Sequence, residues 1–159
     1  MRLLRDLLDL LWPRHCLACG ALIRTDAPAL GLCLACHGRL AAIDPLASCA
    51  TCALPLARGA VLQQCGRCLA DPPEFDCLTA LWRYETPLKE VVQAFKFGRL
   101  DFLGAHFARA LGQALAGRRR EEHAWTPPDL FVPLPLPWPR RLARGFNQTE
   151  LLAWPLARQ

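Results

Sequence analysis

The sequence has little that would carry it into a membrane, and little that would fold its first third unaided. Its longest run free of charged side chains is 45–57, well short of the roughly 20 apolar residues that a bilayer-spanning helix needs. The leucine-rich start, Met1 to Trp12, is broken by Arg2, Arg5, Asp6 and Asp9. It therefore lacks both the uninterrupted apolar run and the small-residue cleavage site of a signal peptide. No membrane insertion and a cytoplasmic location are expected. Between Trp12 and Pro73 no long periodic apolar stretch occurs, and a segment that small seldom builds an adequate core without a staple. Hydrophobic residues nonetheless make up 53% of the 159 and charged residues 21%, which excludes a disordered chain.

What the first third does have is cysteine. Eight of the nine cysteines fall as Cys16-x-x-Cys19, Cys33-x-x-Cys36, Cys49-x-x-Cys52 and Cys65-x-x-Cys68. A two-residue spacer lets both sulfurs of a pair turn toward one ion, and two pairs complete a tetrahedron around zinc. Four thiolates leave no position for water, so such a site is structural and not catalytic. A chain without a secretion signal keeps its thiols reduced, which disfavours disulfides, and a redox CxxC usually comes as a single copy. Two structural zinc ions are therefore expected, ahead of iron–sulfur clusters or disulfides. Joining neighbouring pairs closes the shortest loops. That gives one site from Cys16, Cys19, Cys33 and Cys36, and a second from Cys49, Cys52, Cys65 and Cys68. The interleaved pairing is the rival. His15 and His37 flank ligands and read as exposed neighbours, and Cys77 as a small half-buried apolar residue.

Charge is unevenly placed. Residues 1–80 hold seven Arg against seven Asp plus Glu, whereas residues 81–159 hold twelve Lys plus Arg against seven acids, the whole of the net +5. A basic half suits an anionic partner such as a nucleic acid or a phosphorylated metabolite.

Outside the cysteine array, element types alternate along the chain. Leu3, Leu4, Leu7, Leu8 and Leu11 recur at helical spacing before Pro13. Residues 69–77 read as a connector. Cys77 to Tyr84 predicts a strand. A helix starting at Thr86-Pro87 carries Leu88, Val91, Val92 and Phe95 on its buried stripe and ends at Gly98 in a left-handed cap. The next helix begins at Asp101 and closes at Gly117, and Arg118 to Glu122 reads as an exposed end. Asp129 to Pro135 predicts an apolar strand running into a loop with Arg140, Arg141 and Arg144. A helix begins near Thr149, with Pro155 expected to break or kink it. A strand, an arginine- and glycine-bearing loop and a helix start together suit an anion, since backbone N–H groups and the helix dipole favour phosphate.

In this order, the four knuckles, YETPLKEVVQAFKFG at Tyr84 to Gly98, VPLPL at Val132 to Leu136 and RGFNQTELLA at Arg144 to Ala153 resemble the ComF family. That family is linked to bacterial competence and carries a double zinc ribbon followed by a phosphoribosyltransferase-like domain. The leucine spacing gives an N-terminal amphipathic helix over 1–13, and the resemblance implies a double zinc ribbon over 14–70 and the beginning of an α/β phosphoribosyltransferase-like domain over 77–159. It also implies an anion-facing role for Arg144, Gly145, Asn147 and Gln148. The family's acidic pair followed by a Thr-Thr-Gly loop, which holds phosphoribosyl pyrophosphate, does not occur in these residues. The expectation is that this chain alone performs no phosphoribosyl transfer, that ligand belonging to complete relatives, unless a partner polypeptide supplies the loop. A role related to DNA uptake is implied, with a protein partner of the uptake machinery or single-stranded DNA as the thing bound. The loops between knuckles hold Arg24, Arg39, Arg58 and Arg67 and no aromatics, which favours protein docking over direct nucleic-acid binding by the ribbons.

Overall fold

A computed structural model describes residues 13–23, 29–57, 59–60, 62–121 and 128–158. The leucine repeat at the N-terminus lies outside them, and so do the side chains of the arginine run at 118–120. The described elements are α1 (Leu34–Gly38), a 3-10 turn (Pro45–Ala47), α2 (Gly66–Ala70), α3 (Leu88–Phe97), α4 (Leu103–Glu121), α5 (Trp138–Arg144) and α6 (Gln148–Leu156). Contacts divide the chain into two units, Met1–Arg39 with Thr86–Gln159, and Leu40–Glu85.

The first unit has a hydrocarbon core. Leu88, Val91 and Phe95 form the buried stripe of α3, and Leu103 and Ala108 that of α4. The Phe95 ring lies 5.5 Å from that of Phe107 and 5.8 Å from that of Phe146, so the phenylalanine of the RGFNQ segment packs on α3. Helices α4 and α6 meet where Gly104 faces Leu151. The second unit has almost no such core. Its buried apolar residues, among those described, are Cys49, Ala53, Cys65 and Cys68, so its interior is its sulfur cluster.

Several sequence expectations hold, and others change. Helix α3 starts just after Pro87 as expected, and the Thr86 hydroxyl donates to the Glu90 carboxylate at 2.9 Å. Its end differs. Gly98 has φ −87° and is not left-handed; the left-handed residue is Arg99, at φ 55°. Glycine is needed at 98 for room instead, because a Cβ there would lie 2.7 Å from the Ala94 carbonyl oxygen. Helix α4 runs through Gly117 to Glu121, since one glycine costs a helix only about 1 kcal/mol. Helix α5, expected as loop, starts behind Pro137 with a second proline in its first turn, where a missing N–H is harmless. Pro155 sits in the last turn of α6, which ends one residue later.

No sheet occurs among the described residues, only isolated bridges. The strand expected from Cys77 to Tyr84 is one antiparallel bridge, Ala42 to Trp82, held by Ile43 N–H to Leu81 O at 2.9 Å and Arg83 N–H to Ala41 O at 2.8 Å. The segment from Asp129 to Pro135 is without a strand partner among the described residues. Pro133 and Pro135 lack the N–H that a ladder requires. Cys77 is exposed and not half-buried. No helix among the described residues is long and apolar enough to cross a membrane.

Candidate metal centres

Each sulfur cluster is assembled from two kinds of cysteine pair, and the two clusters repeat one plan. The first pair of each sits in a tight turn. Gly20 N–H donates to Cys16 O at 2.8 Å, and Cys16 N–H to Ala21 O at 2.8 Å. In the second cluster Ala53 N–H donates to Cys49 O, and Cys49 N–H to Leu54 O, both at 2.8 Å. The turn closes through a left-handed residue, Gly20 at φ 72° or Ala53 at φ 57°. Flanking bridges, His15 to Leu22 and Ser48 to Pro55, pin both turns. The second pair of each cluster opens a short helix. Cys33 stands at the N-cap of α1 with Cys36 inside it, and Cys65 at the N-cap of α2 with Cys68 inside it. The pairs are stitched by Leu17 N–H to Gly31 O at 3.0 Å and by Ala50 N–H to Gln63 O at 2.8 Å.

These turns bring Cys16, Cys19, Cys33 and Cys36 together, and separately Cys49, Cys52, Cys65 and Cys68, with all sulfurs of a group within 4.8 Å of one another. Neighbouring pairs are joined, not interleaved ones. Zinc–sulfur bonds of about 2.3 Å give a tetrahedron with an edge of about 3.8 Å. Cys19 and Cys33 sulfurs lie 3.7 Å apart, and Cys52 and Cys65 sulfurs also 3.7 Å. Four sulfur donors at that spacing fit a zinc ion in each cluster. Neither His15 nor His37 belongs to a cluster.

The surroundings already favour thiolate at part of each site. Burial opposes ionisation of Cys16, but N–H groups of Cys33, Cys19 and Ala18 together outweigh it and bring the thiol down to about 6. The Cys52 N–H does the same for Cys49, against burial, again to about 6. The fourth ligands behave oppositely. Burial, then the neighbouring sulfurs, push Cys36 and Cys68 up to about 12, because four uncompensated thiolates cannot share one site. A divalent ion removes that conflict and cross-links four points of the chain.

The sequence-predicted anion residues occupy the turn between α5 and α6. Gly145, at φ 84°, is the left-handed cap of α5. The Arg144 guanidinium lies 5.0 Å above the Phe97 ring and donates to Gln148 Oε1 at 3.0 Å. Asn147 is buried. Its Oδ1 accepts from Thr149 N–H at 3.1 Å, and its Nδ2 donates to Leu134 O at 3.0 Å. Thr149 Oγ1 donates to the same carbonyl at 2.7 Å. The four residues are thus together, yet Asn147 is spent on holding the VPLPL segment to α6. Gln148 Nε2 is buried with no partner. Arg141 is engaged by Glu150, at 3.2 Å. The sequence offered no sign of that ion pair, which crosses between two helices of which one was unforeseen.

A family model described as a double zinc ribbon domain matches residues 7–69. The chain is 41% identical over 110 residues to the DNA utilization protein YhgH of Salmonella typhimurium, a match covering 69% of this chain and 47% of that one. It is 36% identical over 111 residues to the protein of the same name in Escherichia coli, covering 69% and 47%. It is 33% identical over 128 residues to competence protein F of Haemophilus influenzae, covering 80% and 53%. The chain therefore spans about half the length of the curated relatives it matches. No solved structure matches. Two four-cysteine clusters built on one repeated plan, the double zinc ribbon match and these relatives make the chain a double zinc ribbon protein consistent with the ComF family.

Proposed function

We propose that this chain, a ComF-type protein bearing a double zinc ribbon, serves DNA utilization, in DNA uptake or processing. The observation that carries this reading is the joint presence of two four-cysteine sites and the RGFNQ turn, in a chain whose relatives are named for DNA utilization and competence. The zinc ions have a structural role, fixing the ribbons as a rigid surface. The segment after the ribbons corresponds to the start of a phosphoribosyltransferase-like α/β domain, its VPLPL segment held in readiness by Asn147 and Thr149. Arg144, Gly145, Asn147 and Gln148 line the turn on which such a domain would receive an anion, with Arg144 and backbone N–H groups as the contacts. The residues in hand lack a loop to hold a 5-phosphate, so the chain alone transfers no phosphoribosyl group. Disrupting the gene is expected to reduce uptake of labelled DNA or growth on DNA. The intact gene should restore it and a Cys49→Ser copy should not. Unchanged DNA uptake in the disrupted strain would sink the proposal.

A second reading treats the ribbons as a docking module for a protein of the uptake machinery. The exposed Leu46, Leu54 and Leu62 around the second cluster favour it. Co-purification of such a protein with the wild-type chain but not with a Leu54→Glu variant is its test.

A further inference from the structure

We infer that Cys19 is a site of oxidation by hydroperoxides, which convert it to a disulfide with Cys33 and so release the metal of the first cluster while the second is spared. The inference concerns the sulfur clusters alone and does not depend on the reading of the chain as a DNA-utilization protein.

The two clusters share one geometry and differ in exposure. The sulfurs of Cys19 and Cys33 lie 3.7 Å apart, and so do those of their counterparts Cys52 and Cys65. Distance therefore favours neither cluster. Cys19, however, is exposed and Cys33 half-buried, whereas Cys52 is half-buried and Cys65 buried. The next residue in each turn repeats the contrast. Gly20 is exposed, with nothing within 4 Å of an added Cβ, and Ala53 is buried. The two knuckles of the second cluster are also strapped together, Gln64 Nε2 donating to Thr51 Oγ1 at 3.3 Å. Ala18 and Leu32 hold those places in the first cluster, and neither side chain has a polar atom to make that bond. Cys16 and Cys36 are buried, so an oxidant arriving from solvent meets Cys19 first and Cys33 next.

A metal-held cysteine is a thiolate at neutral pH, and thiolate character with solvent access is what makes a sulfur oxidisable. The Cys19 thiolate attacks one oxygen of hydrogen peroxide. An S–O bond forms, the O–O bond breaks, and hydroxide leaves. The Cys33 thiolate then attacks the Cys19 sulfenic sulfur. The S–S bond forms, the S–O bond breaks, and a second hydroxide leaves. Each sulfur has given up one electron, the peroxide has taken both, and two protons from solvent turn the hydroxides into water. Cys16 and Cys36 are then left as two ligands where a structural zinc site needs four. Thiol–disulfide exchange with a reductant restores the pair.

The placement makes this loss survivable. The accessible cluster belongs to the unit that also buries Leu88, Val91, Phe95 and Leu103, and the shielded cluster is the interior of the other unit. Oxidation thus frees one pair of knuckles without removing the core of either unit.

The test treats the full zinc-loaded chain with hydrogen peroxide beside a chromophoric chelator too weak to strip the untreated protein. Cysteines are then alkylated and mapped by peptide mass spectrometry. One zinc of the two should be lost in the faster phase, together with a Cys19–Cys33 disulfide, while Cys49, Cys52, Cys65 and Cys68 stay reduced. A thiol reductant with added zinc should restore the loaded state. Histidine serves with three cysteines in structural zinc sites, so Cys19→His should keep the first zinc and abolish the fast phase. Cys52→His should leave that phase unchanged. Both zinc ions lost at one rate, a disulfide appearing first in the second cluster, or no release under peroxide would overturn the inference. So would a fast phase that survives in Cys19→His. The parent's peptide map decides even if a variant fails to load, because Cys33 oxidised first with any partner other than Cys19 contradicts the assignment. Normal DNA uptake in a disrupted strain leaves all these outcomes untouched.

Discussion

At the scale of single residues, the two clusters form an internal control. Gly20 and Ala53 occupy the same place in their turns, both left-handed, at φ 72° and 57°. An L side chain there crowds its own backbone at roughly 1–2 kcal/mol. Nothing lies within 4 Å of a Cβ added at Gly20, so Gly20→Ala tests backbone strain without a packing change. It should cost the zinc-loaded protein about 1 kcal/mol in urea denaturation, and Ala53→Gly should recover a smaller amount, since glycine also frees the unfolded chain. A neutral Gly20→Ala would show that the metal, and not the turn residue, sets the conformation. The cysteine array announced this geometry well, because a metal site is written in local spacing. It did not announce that Ala53 would adopt a glycine's backbone, because that strain is imposed by the sulfur cluster closing around it.

At the scale of elements, two glycines of α4 separate propensity from packing. A Cβ at Gly104 would lie 2.8 Å from Leu151 Cβ, whereas nothing lies within 4 Å of one at Gly117. Gly117→Ala should therefore stabilise by about 0.8 kcal/mol, the helix-propensity gain. Gly104→Val should destabilise by about 2 kcal/mol, because overpacking forces α4 and α6 apart. Thermal melts of both variants decide it, and equal shifts would contradict the close α4–α6 approach. Helices α3 and α6 were legible in the sequence because their signals are local: an apolar stripe at Leu88, Val91 and Phe95, and a start near Thr149 after the RGFNQ segment; that Asn147 caps α6 is seen only in the structure. Helix α5 was not, since prolines in PLPWPR read as loop punctuation although one of them begins a helix. The strands were over-read for a related reason. Alternation marks a chain fit to join a ladder, but a ladder needs a partner, and Pro133 and Pro135 withhold donors. In the anion turn, the residues were found from sequence, but their commitments were not. Asn147 bonds the carbonyl of Leu134, a long-range contact that no spacing encodes.

At the scale of the whole molecule, the two units should respond differently to loss of metal. Leu40–Glu85 has its sulfur cluster as its interior, with Leu56 packed against it, and among its described residues no hydrocarbon core to fall back on. The other unit keeps Leu88, Val91, Phe95, Leu103 and Ala108 buried together with its own cluster. A strong chelator should therefore collapse amide dispersion for residues 40–85 in NMR spectra, while α3 and α4 retain most of the far-ultraviolet helical signal. Uniform loss of both would mean that the aromatic core also depends on zinc. Acid should have a graded version of the same effect, with a sign fixed by proton counting. Zinc needs four thiolates, and Cys36 and Cys68, pushed up to about 12, enter the site by giving up protons. The metal-free chain thus holds more protons than the loaded one, and zinc affinity rises with pH. Around neutrality each site releases at least one proton from this source. Below about pH 6, Cys16, in the unit that keeps its hydrocarbon core without metal, is protonated in the metal-free chain as well, so the slope of log affinity against pH for the first site should steepen there. Competition titrations with a chromophoric chelator between pH 5 and 8, a span of about three units around the thiol values, measure that slope. A slope for the first site that does not change through pH 6 would mean that Cys16 is not held as a thiolate by its surrounding N–H groups before the metal arrives.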